Sequence, residues 1–233
     1  MNKATLMFLA LVPATLQAAT WNHALEAGYS RSSGNSNVES LFFSAKTQYE
    51  AERYGAEAAG KLDKQATDGK LTKAYYLIQA KAKHYFFHQR SSYLFAAAQW
   101  EQDEPNGQLD SWSLTGGPGY QWHLPQKQTL SIEAGAGYQH SDYTDDSRDY
   151  EGVVARLFAA YTYPVNDAVT FQADTLSFFD QERHLNTTNL KVESTLGQRL
   201  SLGAGFEYRY NSKPDLGKKS EDTTLRLTLK YAF

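Results

Sequence analysis

The chain has 233 residues, 41% hydrophobic and 21% charged, with a formal charge of −3, no cysteine, and 16 tyrosines that outnumber its 12 phenylalanines. It contains no run of the roughly 20 apolar residues that each helix of a transmembrane bundle requires, and the missing cysteine excludes disulfide staples and thiolate metal sites. A pI near 6.1 supplies no basic footprint for nucleic acid, whereas a mean hydropathy of −0.58 leaves open a membrane barrel, which confines its lipid-facing residues to alternate positions.

Residues 1–19 place Lys3 ahead of an apolar stretch from Ala4 to Leu16 and end on the small residues Ala18 and Ala19. This is the pattern of a secretory signal peptide cleaved after Ala18 or Ala19, leaving residues 20–233 as one mature domain. From Trp21 onward the apolar period is two, broken by Gly, Asn, Asp and Pro, and no helical period is sustained. The alternation predicts strands over 23–31, 37–48, 51–62, 72–85, 91–101, 110–122, 129–139, 150–162, 168–179, 185–195, 199–210 and 223–233. Strands of globular domains run to about five or six residues, whereas strands crossing a bilayer at a tilt need about 9–11. Segments this long and even in number predict an all-β fold, a closed twelve-stranded antiparallel transmembrane β-barrel, because an open sheet edge finds no hydrogen-bond partners in lipid.

The final strand shows the pattern best. Leu225, Leu227, Leu229, Tyr231 and Phe233 alternate with Thr224, Arg226, Thr228, Lys230 and Ala232. Aromatic residues such as Tyr29, Trp100, Trp122, Tyr138 and Tyr161 gather toward strand ends, where amphipathic rings suit the headgroup level. A soluble sandwich with an aromatic core would not require such long strands. On this register Glu26, Lys46, Arg53, Glu57, Lys61, Lys81, Lys83, Glu133, Arg156, Asp174, Lys191, Glu193, Glu207, Arg209, Arg226 and Lys230 point inward, with a basic excess. Such a lumen is either an ion-pair network that fills and stabilises the barrel, or a narrow water-filled pore favouring anions.

An even strand number puts both termini on one side, the periplasmic one in a bacterial outer membrane. Turns are then expected near Glu50 and at 86–90, 123–128, 163–167 and 196–199, with outer loops at 32–36, 63–71, 102–109, 141–149, 180–183 and 211–221. None is long enough for a folded plug, and the short loops disfavour adhesion. The expected partners are outer-membrane lipids, lipopolysaccharide and, during biogenesis, the barrel assembly machinery, with no nucleic acid.

Gly28 and Tyr29 with Ser33, Gly34, Asn35 and Ser36 in AGYSRSSGNSN, and Gly116, Gly117, Pro118, Gly119, Tyr120, Gln121 and Trp122 farther on, carry a family likeness. In these motifs the chain resembles the salt-induced outer-membrane proteins that contain domain of unknown function 481, over nearly the whole mature length. The resemblance implies secretion, outer-membrane placement and a link to envelope salt stress. It brings no catalytic set.

The most reactive-looking cluster is His140, Ser141, Asp142, Asp145 and Asp146, the basis of an alternative reading as a membrane-embedded lipid or lipopolysaccharide hydrolase. Adjacent strand residues point to opposite faces, which weakens the His140 and Ser141 pair. Asp142, Asp145, Asp146, Asp149 and Glu151 offer hard oxygen ligands but lack the EF-hand spacing. No catalytic, cofactor or metal residue is assigned. The leading expectation is a porin-like barrel, either a narrow pore for ions or small polar solutes or a structural envelope barrel without conductance.

Overall fold

The computed structural model describes residues 19–32, 37–86, 90–145, 149–181, 183–214 and 217–233. The expected signal segment 1–18 lies outside the described residues, as do Ser33–Ser36 of the family motif and Asp146 of the acidic cluster. Twelve strands follow one another: β1 Thr20–Ser32, β2 Val38–Glu50, β3 Tyr54–Thr67, β4 Lys70–Tyr85, β5 Ser92–Asp103, β6 Gln108–His123, β7 Thr129–Tyr143, β8 Tyr150–Pro164, β9 Val169–Phe179, β10 His184–Thr195, β11 Leu200–Asn211 and β12 Glu221–Ala232. Each pairs antiparallel with its neighbours in sequence, and β1 closes the ring against β12. Only two short 3-10 turns, Glu104–Asn106 and Pro125–Lys127, interrupt the all-β pattern among the described residues.

Several strands run farther than hydropathy alone suggested, and the largest difference lies between β3 and β4. The segment 63–71, expected as an outer loop, is ladder up to Thr67 and again from Lys70, leaving a two-residue turn at Asp68 and Gly69. Both turn residues have positive φ, 51° and 76°, the handedness that matches the twist of the flanking strands. Polar Asp63, Lys64 and Gln65 resemble loop sequence, yet the inner wall of a barrel accepts polar side chains. At the other end β3 starts later than expected, because the Ala51 amide donates to the Tyr54 carbonyl at 2.8 Å and closes a turn. Arg53, expected on the inward face, therefore stands exposed in that turn.

Burial is inverted relative to a soluble domain. The buried set is dominated by polar and charged residues, including Asp63, Glu133, Ser141 and Glu207, while the exterior carries Leu225, Leu227, Ile78, Val153 and Leu114. Ion pairs inside and aliphatic side chains outside are the arrangement that an apolar surrounding stabilises. The seam between β1 and β12 departs from the other junctions. Its ladder holds only Ala24–Ala27 against Leu229–Ala232, extended by mutual backbone bonds between His23 and Phe233 of 3.1 and 3.0 Å.

Candidate functional site

The barrel interior is the candidate site. Period-two alternation turns one set of side chains inward from every strand, and closure brings together residues far apart in sequence. A cavity of about 450 Å³ remains between them, lined among others by Glu26, Lys46, Glu57, Lys61, Arg209 and Arg226.

Glu207 on β11 anchors one network. It bonds Lys61 of β3, lies 3.2 Å from Arg226 Nη2 of β12 and stands 3.8 Å from Lys73 of β4. Asp63 completes it, pairing with Lys73 at 2.8 Å and with Arg226. Glu133 on β7 anchors a second, accepting from Lys81 at 3.0 Å, Arg156 at 2.7 Å and the Tyr93 hydroxyl at 3.1 Å. Lys191 bridges Glu26 at 2.8 Å and Glu193 at 3.2 Å, and Lys230 meets Glu193 at 2.8 Å. Lys46 pairs with Glu57 at 3.0 Å, Asp174 accepts from Asn189 at 2.9 Å, and the Lys83 ammonium lies 5.0 Å from the centre of the Tyr93 ring.

The longest reach across the lumen belongs to Arg209. Arg209 on β11 reaches Asp103 on β5, six places away in the ring of twelve, at 3.4 Å, and its guanidinium carbon lies 4.0 Å from the centre of the Tyr75 ring. Tyr75 in turn donates to Glu101 at 3.0 Å. This bridge, with the reach of Glu207 to Lys61 and Lys73, narrows the interior.

Asp63, Lys73, Glu101 and Asp103 belong to these networks, and hydropathy did not single them out. Asp63 and Asp103 fall in segments expected as outer loops, but each continues the inward parity of its strand, after Lys61 and Glu101 respectively. The added acids bring the interior close to charge balance and remove most of the expected basic excess.

Tyr93 is 1% exposed and its hydroxyl is one of the donors on Glu133. Tyr93→Phe removes that bond while leaving Lys81 and Arg156 in place, and should lower stability by about 1–2 kcal/mol in urea unfolding from lipid vesicles.

His140 and Ser141 point to opposite sides of the wall. His140 packs at a tilt against Trp112 on the outside and lies 3.1 Å from Asp142, whereas Ser141 is fully buried and shares a 2.8 Å hydrogen bond with Ser111. A histidine held there cannot take the proton of that serine. Among the described residues no group of three or more His, Asp or Glu side chains is placed to hold a metal ion.

Residues 25–233 match the family model described as "Protein of unknown function, DUF481". No match is found among the curated proteins. The chain is similar in fold to an outer-membrane channel from Pseudomonas putida F1, at 12% identity and TM-score 0.53, over 97% of this chain and 98% of that one. It is similar also to the NanC porin, at 11% identity and TM-score 0.53, over 90% of this chain and 98% of that one.

Proposed function

The chain belongs to the DUF481 family, and on that premise we propose that it is a bacterial outer-membrane barrel that passes ions and small polar solutes by diffusion through a narrow, ion-pair-lined lumen. The carrying observation is the 450 Å³ cavity that remains among charged side chains, narrowed by the Arg209 bridge and by the reach of Glu207 to Lys61 and Lys73. The apolar exterior and the likeness in fold to outer-membrane channels support the membrane placement. Near balance of inward charge favours weak ion selectivity, with local fields set by Arg209 and its neighbours. Termini in the periplasm, export by a signal peptide and insertion by the assembly machinery complete this reading, and the link to salt stress rests on the family resemblance alone.

Planar-bilayer recording of the purified protein tests it. Discrete unitary steps support the pore, and a correctly folded but electrically silent barrel overturns it. Arg209→Ala, which removes the cross-lumen arm, should raise unitary conductance roughly twofold. A second reading, a structural barrel without conductance, is favoured by the number of charged contacts across the interior, and it predicts silence in both proteins. The hydrolase reading has little support, because Ser141 and His140 do not meet.

A further inference from the structure

The ladder between β1 and β12 ends at Ala27 and Leu229, although both strands continue, β1 through Ser32 and β12 from Glu221. β1 remains paired with β2 along its whole length, and β12 with β11; Gly28 still packs against the Leu227 carbonyl oxygen, so the unzipped portion of this one seam lies outward of that contact while its flanks are intact. Leu225 and Leu227, at 79% and 69%, are the most exposed large apolar side chains among the described residues, and Tyr29 beside them is 64% exposed. Unpaired strand edges cannot face hydrocarbon, but backbone at membrane depth is tolerated where it borders a water-filled cavity. That condition holds here, because Thr228, Arg226 and Asp222 of β12 and Glu26 of β1 line the cavity immediately behind the seam.

The groups behind the gap point to a ligand chemistry. Lys61, Lys73 and Arg226 face Asp63 and Glu207, and Asp222 stands farther out along the same inward row of β12. The buried Nε of Arg226 has no hydrogen-bond partner. A single anionic head group would supply the missing acceptor.

We propose that the unzipped part of the β1–β12 seam is a lateral port through which a single-chain anionic amphiphile moves between the membrane and the cavity, its head group held at Arg226. The port rests on the membrane placement proposed above but does not require axial conduction.

The absence of native cysteine makes the seam easy to staple. Tyr29→Cys/Leu227→Cys places thiols on the two edges beyond the end of the ladder. In liposomes containing a palmitate analogue with a chain-terminal diazirine, illumination should mark inward-facing Ser44, Thr224 and Thr228 as well as outward-facing Leu225. Joining the two cysteines with a short bis-maleimide should cut the inward adducts by about fivefold, equivalent to roughly 1 kcal/mol, and leave the outward ones unchanged. The same chain carrying a trimethylammonium head should give inward yields about fivefold lower than the carboxylate. Inward adducts that are absent, that survive stapling, or that ignore the head-group charge would overturn the port. Unstapled and stapled samples are the same variant, so loss of folding cannot imitate the result. Unitary conductance of the same preparations reads the axial pore separately: conduction without inward adducts removes only the port, and inward adducts without conduction remove only the pore.

Discussion

Replacing Glu207 with alanine is expected to destabilise the folded barrel by about 3–5 kcal/mol, measured as a lower urea midpoint in lipid vesicles. The carboxylate is 2% exposed and faces Lys61, Lys73 and Arg226. Its removal leaves Asp63 as the remaining acid of that cluster, beside three cations withdrawn from bulk water. The magnitude discriminates between two kinds of interior. A loss below about 1 kcal/mol is what exposed ion pairs give, and it would mean that lumen water screens the network as effectively as bulk solvent. Because the cost arises from stranded charge rather than lost volume, adding Lys61→Met to Glu207→Ala should recover part of it, and no recovery would reject that cause.

Gly137→Val is expected to keep most of the protein out of its folded form, with a penalty of at least about 3 kcal/mol, seen as loss of the heat-modifiable gel band. Gly137 on β7 faces Thr115 on β6, and a Cβ added there would lie 2.6 Å from the Thr115 Cα and also against the Leu114 carbonyl oxygen. Those atoms are backbone, so no rotamer change relieves the clash and the β6–β7 ladder must part. The ladder between the same two strands is already interrupted beside Pro118, which has no N–H to donate, and it passes from Gly116 to Gly119 in unchanged register without pairing Gly117 or Pro118 to β7. Gly205→Ala is the matched control. Its nearest neighbour within contact range is the Leu190 carbonyl oxygen at 3.8 Å, so it should fold normally.

The strands were legible because their signal is local. Leu225, Leu227 and Leu229 against Arg226, Thr228 and Lys230 place β12 within a residue or two of its observed limits. The signal fails where the inner wall is polar and the chain nears the outer rim, as at Asp63 to Thr67, because polarity there marks a wet lumen and a turn alike. It fails differently in the β9–β10 hairpin. Phe178 and Leu185 reach inward beside Gln99 and Ser113, while outward Thr175, Ser177, Asn186 and Thr188 hydrogen-bond to one another. Faces that exchange polarity within one strand defeat any argument from hydropathy alone.

Strand number, strand length and the inward parity of most charged residues were determined by sequence alone, since a period of two needs no knowledge of any partner strand. Tertiary structure decided which charges meet: Arg209 crosses to Asp103, Glu207 gathers cations from β3, β4 and β12, and His140 and Ser141 part company. It also decided that the backbone pairing of the closing seam runs along β1 only from His23 to Ala27. These features depend on ring closure, stagger and side-chain reach across the lumen, which are properties of all twelve strands at once.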